Sequence, residues 1–310
     1  MKVFITVDVE SYTGDYEREV WGNGLGLEYL LRQCSQHGTP ATYFVEALGA
    51  TRWGGEPLAR ICRSILAAGQ RVELHLHPSV AQLDGFQDQD DVFWNQDQAT
   101  QLRLLLEGVR QLKLAGVPEV TAFRAGDLAA NEVTLAAMKQ AGLSIGAHRN
   151  LFVGSSIRTK INGSFPAAND LSRADGIVDI PVTCLRSPLP FLDGPYRHLE
   201  VCAVSSQEMC WALDRLQSSG YACAGILTHP PEFFRWNDGR ATPIVKNCRR
   251  FESLLGFLQQ RADMEVCVVD SRVLEMSLPH SSPAVPAWPL WMSLLRFGEQ
   301  AAFRLRHGAR

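Results

Sequence analysis

Residues 71–79 read RVELHLHPS, an apolar strand that ends on two histidines and a proline. Successive side chains of a strand point to opposite faces, so His75 and His77 share one face while Val72, Leu74 and Leu76 share the other. Two neutral imidazoles projecting together from a strand end suit a borderline metal such as zinc. They equally suit a polar pair making ordinary hydrogen bonds, and this short stretch leaves both readings open.

On either side of it the chain alternates strand and helix. KVFITVD, residues 2–8, is apolar on both faces, as a strand of a covered, mainly parallel sheet should be. Helices are predicted over 27–36, 57–68, 97–115, 131–140, 207–218 and 251–260. Strands are predicted over 41–46, 71–77, 120–124, 143–147, 177–182, 222–227 and 264–269. Asn131 has the character of an N-cap. Residues 11–26 and 84–96 are polar segments studded with aromatics, and both are expected to be long βα loops. Seven or eight strands separated by helices make a βα-repeat architecture, a barrel or an open sheet. Chemically suggestive residues follow four different strands, which favours a barrel whose site gathers at the carboxyl ends of its strands.

The 310 residues are 46% hydrophobic and 20% charged with a formal net charge of -3, a globular composition with no global attraction to nucleic acid. The eight cysteines form no C-x-x-C pair and several sit in apolar runs, which favours a reducing compartment over a disulfide framework. The sequence opens directly on a strand, so export through an amino-terminal signal is not expected. No stretch is apolar for long enough to span a bilayer. Residues 1–278 are expected to form the barrel. Residues 279–310 are expected to be a linker and an amphipathic helix, in which Leu290, Trp291, Leu294, Leu295 and Phe297 alternate with Arg296, Arg304, Arg306 and Arg310. That helix suits packing over the barrel, or contact with a membrane surface or a partner.

The first strand leaves on TVDVES, placing Asp8 and Glu10 two positions apart on one face. Carboxylates buried there would call for a cation or an arginine, or they are simply two solvent-facing acids that start a loop. Glu10, His75 and His77 make a carboxylate and two imidazoles, enough for a divalent ion that keeps an open position. Asp8, outside that set, could take a proton from water. Arg124, in TAFRAGD, is the candidate to moderate it, although it could equally pair with Asp127 or Glu132. His229, in GILTHPPEFF, could protonate a departing amine or simply bond to backbone. His148 could touch substrate or cap a loop. Trp21, Trp94, Phe191, Tyr196 and Trp236 could stack on a sugar or tether the loops.

These residues, in this order from about residue 2 to 273, resemble the polysaccharide deacetylases, the NodB-homology or carbohydrate esterase family 4 proteins. TVDVE is similar to the family's first motif, with Asp8 at the base position, Glu10 at a variant ligand position, and Val9 where a second aspartate is common. GQRVELHLHPS resembles the second motif. His75 matches its first histidine, Ser79 stands where the second would be, and His77 is the substitute ligand. FRAGD resembles the arginine motif through Arg124, DIPVT the fourth, and LTHP the last, with His229 on the catalytic acid. The ELHLHPS form is similar to a subgroup from O-antigen and other surface-glycan loci.

The resemblance implies a distorted seven-stranded β/α barrel with long βα loops and an added C-terminal helix. It implies a hydrolase using one divalent ion, zinc first, to remove an N-acetyl or N-formyl group from a sugar. Asp8, Arg124 and His229 would be catalytic, and Glu10, His75 and His77 would hold the metal. Together with the opening strand, it points to a nucleotide-linked or lipid-linked glycan precursor as substrate. The expected location is the cytoplasm, with the tail able to reach the inner membrane face. Two other readings stand beside this one: a catalytically weak glycan-binding or scaffold protein, motivated by Val9 and Ser79, and a metal-independent amide hydrolase.

Overall fold

The computed structural model describes residues 1–84, 86, 91–150, 159–160, 169–279 and 284–307. Nine strands form the main sheet: β1 (Lys2–Val9), β2 (Thr42–Glu46), β3 (Arg71–Leu76), β4 (Ala122–Ala125), β5 (Ile145–Arg149), β6 (Ser172–Ala174), β7 (Ile177–Pro181), β8 (Cys223–Thr228) and β9 (Glu265–Cys267). Their spatial order is β8-β1-β2-β3-β4-β5-β7-β6, parallel from β8 to β7 and antiparallel only at β6. Seven parallel strands therefore curl into the distorted β/α barrel expected of the sequence. The distortion has two sources. β9 pairs with β1 only along Lys2 to Phe4, so it is wedged beside β2 at the amino end of the barrel. The seam between β7 and β8 is not a regular ladder. Thr183 donates its N–H to Gly225 O at 3.0 Å, and Glu200 bridges to Leu227.

Alternation sorts each strand. Val3, Ile5, Val7 and Val9 of β1, and Val72, Leu74 and Leu76 of β3, pack outward with the surrounding helices. Phe4, Phe44, Ala122, Ile145 and Val178 point inward and fill the lower barrel, which Val269 and Val273 complete. Higher up, the same inward faces carry Asp8, His75 and Arg124, all buried. Moving from apolar to polar along one face sets the site at the carboxyl end.

The longer helices among the described residues are α1 (Leu27–Gln36), α2 (Gly55–Ala67), α3 (Gln98–Leu114), α4 (Glu132–Gln140), α5 (Ser206–Ser218), α6 (Val245–Gln259) and α7 (Leu290–His307). α2 buries Leu58, Ile61, Cys62 and Ile65, the i, i+3, i+4, i+7 stripe of an amphipathic helix. Asn131 and Ser205 start α4 and α5 through capping boxes with Thr134 and Glu208. Several sequence expectations were displaced, three of them in ways that matter to the fold. β5 lies two residues beyond 143–147, α6 begins six residues before 251, and the strand expected over 264–269 shrinks to Glu265–Cys267. A hairpin of Phe234–Asn237 on Arg240–Pro243 was not foreseen.

The C-terminal helix α7 docks through a buried ion pair. Arg296 Nε lies 3.1 Å from Glu208 Oε1, and both side chains are almost fully enclosed. Trp288 donates from Nε1 to Glu208 O at 3.3 Å. Leu290, Trp291, Leu294 and Leu295 remain exposed on the other side. No helix among the described residues is long and apolar enough to cross a membrane.

Candidate metal centre and acid–base pair

Three ligand atoms converge at the exits of β1 and β3. Glu10 Oε2 lies 3.0 Å from His75 Nε2 and 2.9 Å from His77 Nε2, and the two Nε2 atoms are 3.1 Å apart. The other nitrogen of each ring fixes what these atoms are. His75 Nδ1 is 2.9 Å from Arg124 O, an atom that can only accept, so Nδ1 carries the hydrogen. His77 Nδ1 is 2.6 Å from Asp91 Oδ2, so it too is the donor. In the neutral rings both Nε2 atoms are bare lone pairs, and they face each other and a carboxylate oxygen. Three lone pairs meeting with neither a proton nor a cation between them would repel. A divalent ion answers that need, and the imidazole and carboxylate donors suit zinc-like ions. Without an ion the cluster holds a proton. Burial opposes charge on His77, but Asp91 and Glu10 outweigh it and hold its pKa well above the usual imidazole range. Burial likewise opposes charge on Glu10, but the two histidines hold its pKa well below that of an ordinary carboxyl.

Ser79, expected to stand at a motif histidine's position, serves the centre through a carboxylate. Its Oγ donates to Asp91 Oδ1 at 2.6 Å and its N–H to the same oxygen at 3.2 Å. Asp91 is thereby held against His77, a carboxylate–histidine pair that fixes the tautomer. Asp91 escaped the sequence reading because it lies in an acid- and amide-rich run with nothing to separate it from its neighbours. Gly126 also serves the centre, because a Cβ there would collide with the His77 ring.

Asp8 and Glu10 emerge on one side of β1 while Val9 packs into the outer core. Arg124 is enclosed, not a surface residue. Its Nη1 donates to Asp8 Oδ1 at 2.6 Å, its Nη2 to Thr6 Oγ1 at 3.0 Å and its Nε to Ala147 O at 2.8 Å. The guanidinium rests 4.4 Å from the Phe44 ring centroid. One oxygen of Asp8 is thus taken, and the other, Oδ2, lies 3.9 Å from His229 Nε2. His229 Nδ1 is 2.7 Å from Glu232 Oε1 and 3.7 Å from Glu200 Oε1. Burial opposes the charge on His229, but Glu232, Glu10 and Asp8 raise its pKa to about 10. It is therefore an imidazolium at neutral pH.

These groups share one pocket with Tyr12, Asp127, Leu128 and Leu227. Tyr12 reaches His77, its hydroxyl 2.9 Å from Nε2. Asp127 and Leu128 both adopt left-handed backbone (φ 52° and 54°), a conformation that L residues outside tight turns rarely hold. Strain of this kind at a pocket wall is a common mark of a functional site. Sequence reading missed both residues, together with Tyr12, Glu200 and Glu232. His148 is buried behind the site, its Nδ1 accepting from Ala125 N–H at 3.3 Å, and burial pulls its pKa down to about 4. It supports the barrel and does not line the pocket. Trp21 and Trp94 are buried, and Trp236 donates to Arg18 O at 3.1 Å, so these rings tether loops. Phe191 is exposed and Tyr196 half-buried, and neither is among the residues lining the pocket.

No protein-family model and no curated protein sequence matches this chain. Solved structures do match it. A candidate polysaccharide deacetylase from Mycobacterium smegmatis superposes with a TM-score of 0.56 over 88% of each chain at 16% identity. The fold is that of the NodB-homology deacetylases. A family 4 carbohydrate esterase from Streptomyces lividans, solved with acetate, aligns over 93% of this chain and 98% of its own at 14% identity and a TM-score of 0.46. A 4-alpha-glucanotransferase from Thermococcus litoralis also matches, with a TM-score of 0.55 and 11% identity over 98% of this chain and 46% of its own. These likenesses show the fold, and the reaction has to be argued from the site.

Proposed function

We propose that this protein is a metal-dependent hydrolase that removes an N-acetyl, or N-formyl, group from a sugar of a glycan or glycan precursor. The observation that carries the reading is the meeting of Glu10 Oε2, His75 Nε2 and His77 Nε2 within 3.1 Å of one another, beside an arginine-held carboxylate and an imidazolium. Glu10, His75 and His77 would hold the ion, with zinc our first choice. A divalent ion there would supply Lewis acidity, lowering the pKa of water and polarising the acyl carbonyl. Asp8, fixed by Arg124, takes the proton from the attacking water through Oδ2, the oxygen Arg124 leaves open. His229 hands the Nε2 proton to the departing amine. Glu232 holds the ring in that orientation. Leu128 and Leu227 offer an apolar wall for the acyl methyl group.

Several features support the finer assignments. The barrel is shared with a candidate polysaccharide deacetylase, which favours a sugar amide. All eight cysteines are free, as suits a reducing compartment such as the cytoplasm, where nucleotide-linked or lipid-linked sugar precursors would be the available substrates. The exposed Leu290, Trp291, Leu294 and Leu295, followed in the sequence by Arg304 and Arg306, give α7 the makings of a contact with the inner membrane face. Zinc-loaded protein incubated with N-acetylated and N-formylated sugars, free and nucleotide-linked, tests the reaction. Acetate or formate release that disappears in Asp8→Asn is expected. Sugar binding with no acyl release and no bound metal would contradict the reading and favour a glycan-binding role. For α7, co-sedimentation with anionic vesicles should be lost in Leu294→Glu/Leu295→Glu, and unchanged partitioning would remove the membrane contact.

A further inference from the structure

We propose that Glu200, His229 and Glu232 form a second divalent-ion site at the edge of the pocket, and that an ion bound there withdraws His229 from proton donation. Each residue offers one ligand atom, and these atoms lie within 4.8 Å of one another. The imidazole meets both carboxylates through Nδ1, at 2.7 Å from Glu232 Oε1 and 3.7 Å from Glu200 Oε1. The second oxygen of Glu232 accepts from Thr228 Oγ1 at 2.7 Å, which fixes the carboxylate as an outer partner fixes a metal ligand.

Orienting one imidazole requires one carboxylate, and here there are two. Their side chains are 19% and 12% exposed, and no Lys or Arg among the described residues pairs with either. Burial and the neighbouring Glu232 carboxylate push Glu200 up to about 8, so at neutral pH a proton is held between the two carboxyl groups. A divalent ion would take the place of that proton and be met by both carboxylates. One imidazole nitrogen and two carboxylate oxygens are a donor set for zinc or a similar ion, with pocket solvent completing the shell. This site should bind more weakly than the one on Glu10, His75 and His77. There, Nδ1 hydrogen bonds are made elsewhere and Nε2 is free to bind. At His229 the Nδ1 proton must leave to solvent, and the hydrogen bond to Glu232 must break, before the ion can enter.

The consequence for activity rests on the deacylase reading. A His229 imidazolium can pass its Nε2 proton to a basic departing amine. With an ion on Nδ1 the ring is a neutral imidazole, and its remaining Nε2–H is a far weaker acid. Zinc beyond the first equivalent would therefore slow release of the amine.

The test titrates the metal-free full-length chain with zinc, without substrate, by equilibrium dialysis. Two equivalents are expected, the second weaker by about tenfold or more. Glu200→Gln and Glu232→Gln should each lose the second equivalent and keep the first, whose retention shows that the variant is folded. With cobalt(II) on the unaltered protein, the His229 ring resonances should broaden further at the second equivalent, a readout that needs no variant. A single equivalent at saturating zinc, or a second that survives in both variants, would overturn the site. Because binding is counted without substrate, the site and the deacylase reading fail separately. If the second ion binds here yet acyl release is unaffected by excess zinc, the inhibitory role is wrong.

Discussion

The exits of β3 and β8 both set imidazoles among carboxylates, and they differ in which ring nitrogen is already committed. At β3, His75 and His77 spend Nδ1 on Arg124 O and Asp91, so both Nε2 lone pairs turn inward toward Glu10. At β8, His229 turns Nδ1 toward Glu232 and leaves Nε2 facing Asp8. The first arrangement gathers lone pairs and asks for a metal. The second gathers negative charge around a ring that keeps its proton. The outer hydrogen bond of each ring, more than the presence of a histidine, divides metal binding from proton transfer.

Asp8 stands between the two exits, and removing its charge should have the largest effect. Asp8→Asn is expected to lower kcat by ~10²–10⁴-fold while the tight metal equivalent is kept. Activity that persists with the metal bound would assign the base elsewhere. Arg124→Met should leave Asp8 enclosed and unpaired, costing about 3–5 kcal/mol in a denaturant melt. A loss near zero would mean that Asp8 finds another partner.

Asp91→Asn tests the committed nitrogen of His77 directly. Metal affinity should fall about 10–100-fold, and the metal-free protein should lose stability as well, because Asp91 pairs with His77 and accepts from Ser79. Leu128→Ala should reduce the preference for acetyl over formyl substrates by about tenfold, since a methyl in an apolar pocket is worth that much. The smallest effect belongs to the β8 side. His229 has a folded-state pKa of about 10 against an ordinary 6.5, so folding tightens its hold on the proton. Its contribution to stability is fully present below about pH 6.5 and is lost as pH rises through about 10. The Tm difference between the unaltered protein and His229→Gln should therefore shrink from pH 6 to pH 10, and a difference that grows would contradict the assignment.

Much of this was legible in the sequence because two-residue spacing at a strand end determines facing. Asp8 with Glu10, and His75 with His77, needed only that rule and an apolar strand. The residues that were missed act across the barrel. Asp91 lies 14 positions from His77, and Glu200 reaches His229 from the segment that closes the seam beside β8. Neither contact follows from a local pattern. β5 was misplaced because its end is polar and yet buried, with Asp179 Oδ1 accepting from the N–H groups of His148 and Arg149. α6 was started too late because residues 245–250, VKNCRR, lack an apolar stripe and Ile244 offers no side-chain cap. The left-handed backbone at Leu128 has no signature in residue type, since leucine is a poor occupant of that region, whereas Asp127 is of a type that tolerates it.

The most direct test of the account is anomalous diffraction at the zinc edge from crystals grown with one equivalent of zinc. The account predicts a single strong peak bonded to His75 Nε2, His77 Nε2 and a Glu10 carboxylate oxygen, with Asp8 outside the coordination sphere. An empty centre at saturating zinc, or an ion bound to Asp8 with His77 turned away, would contradict it.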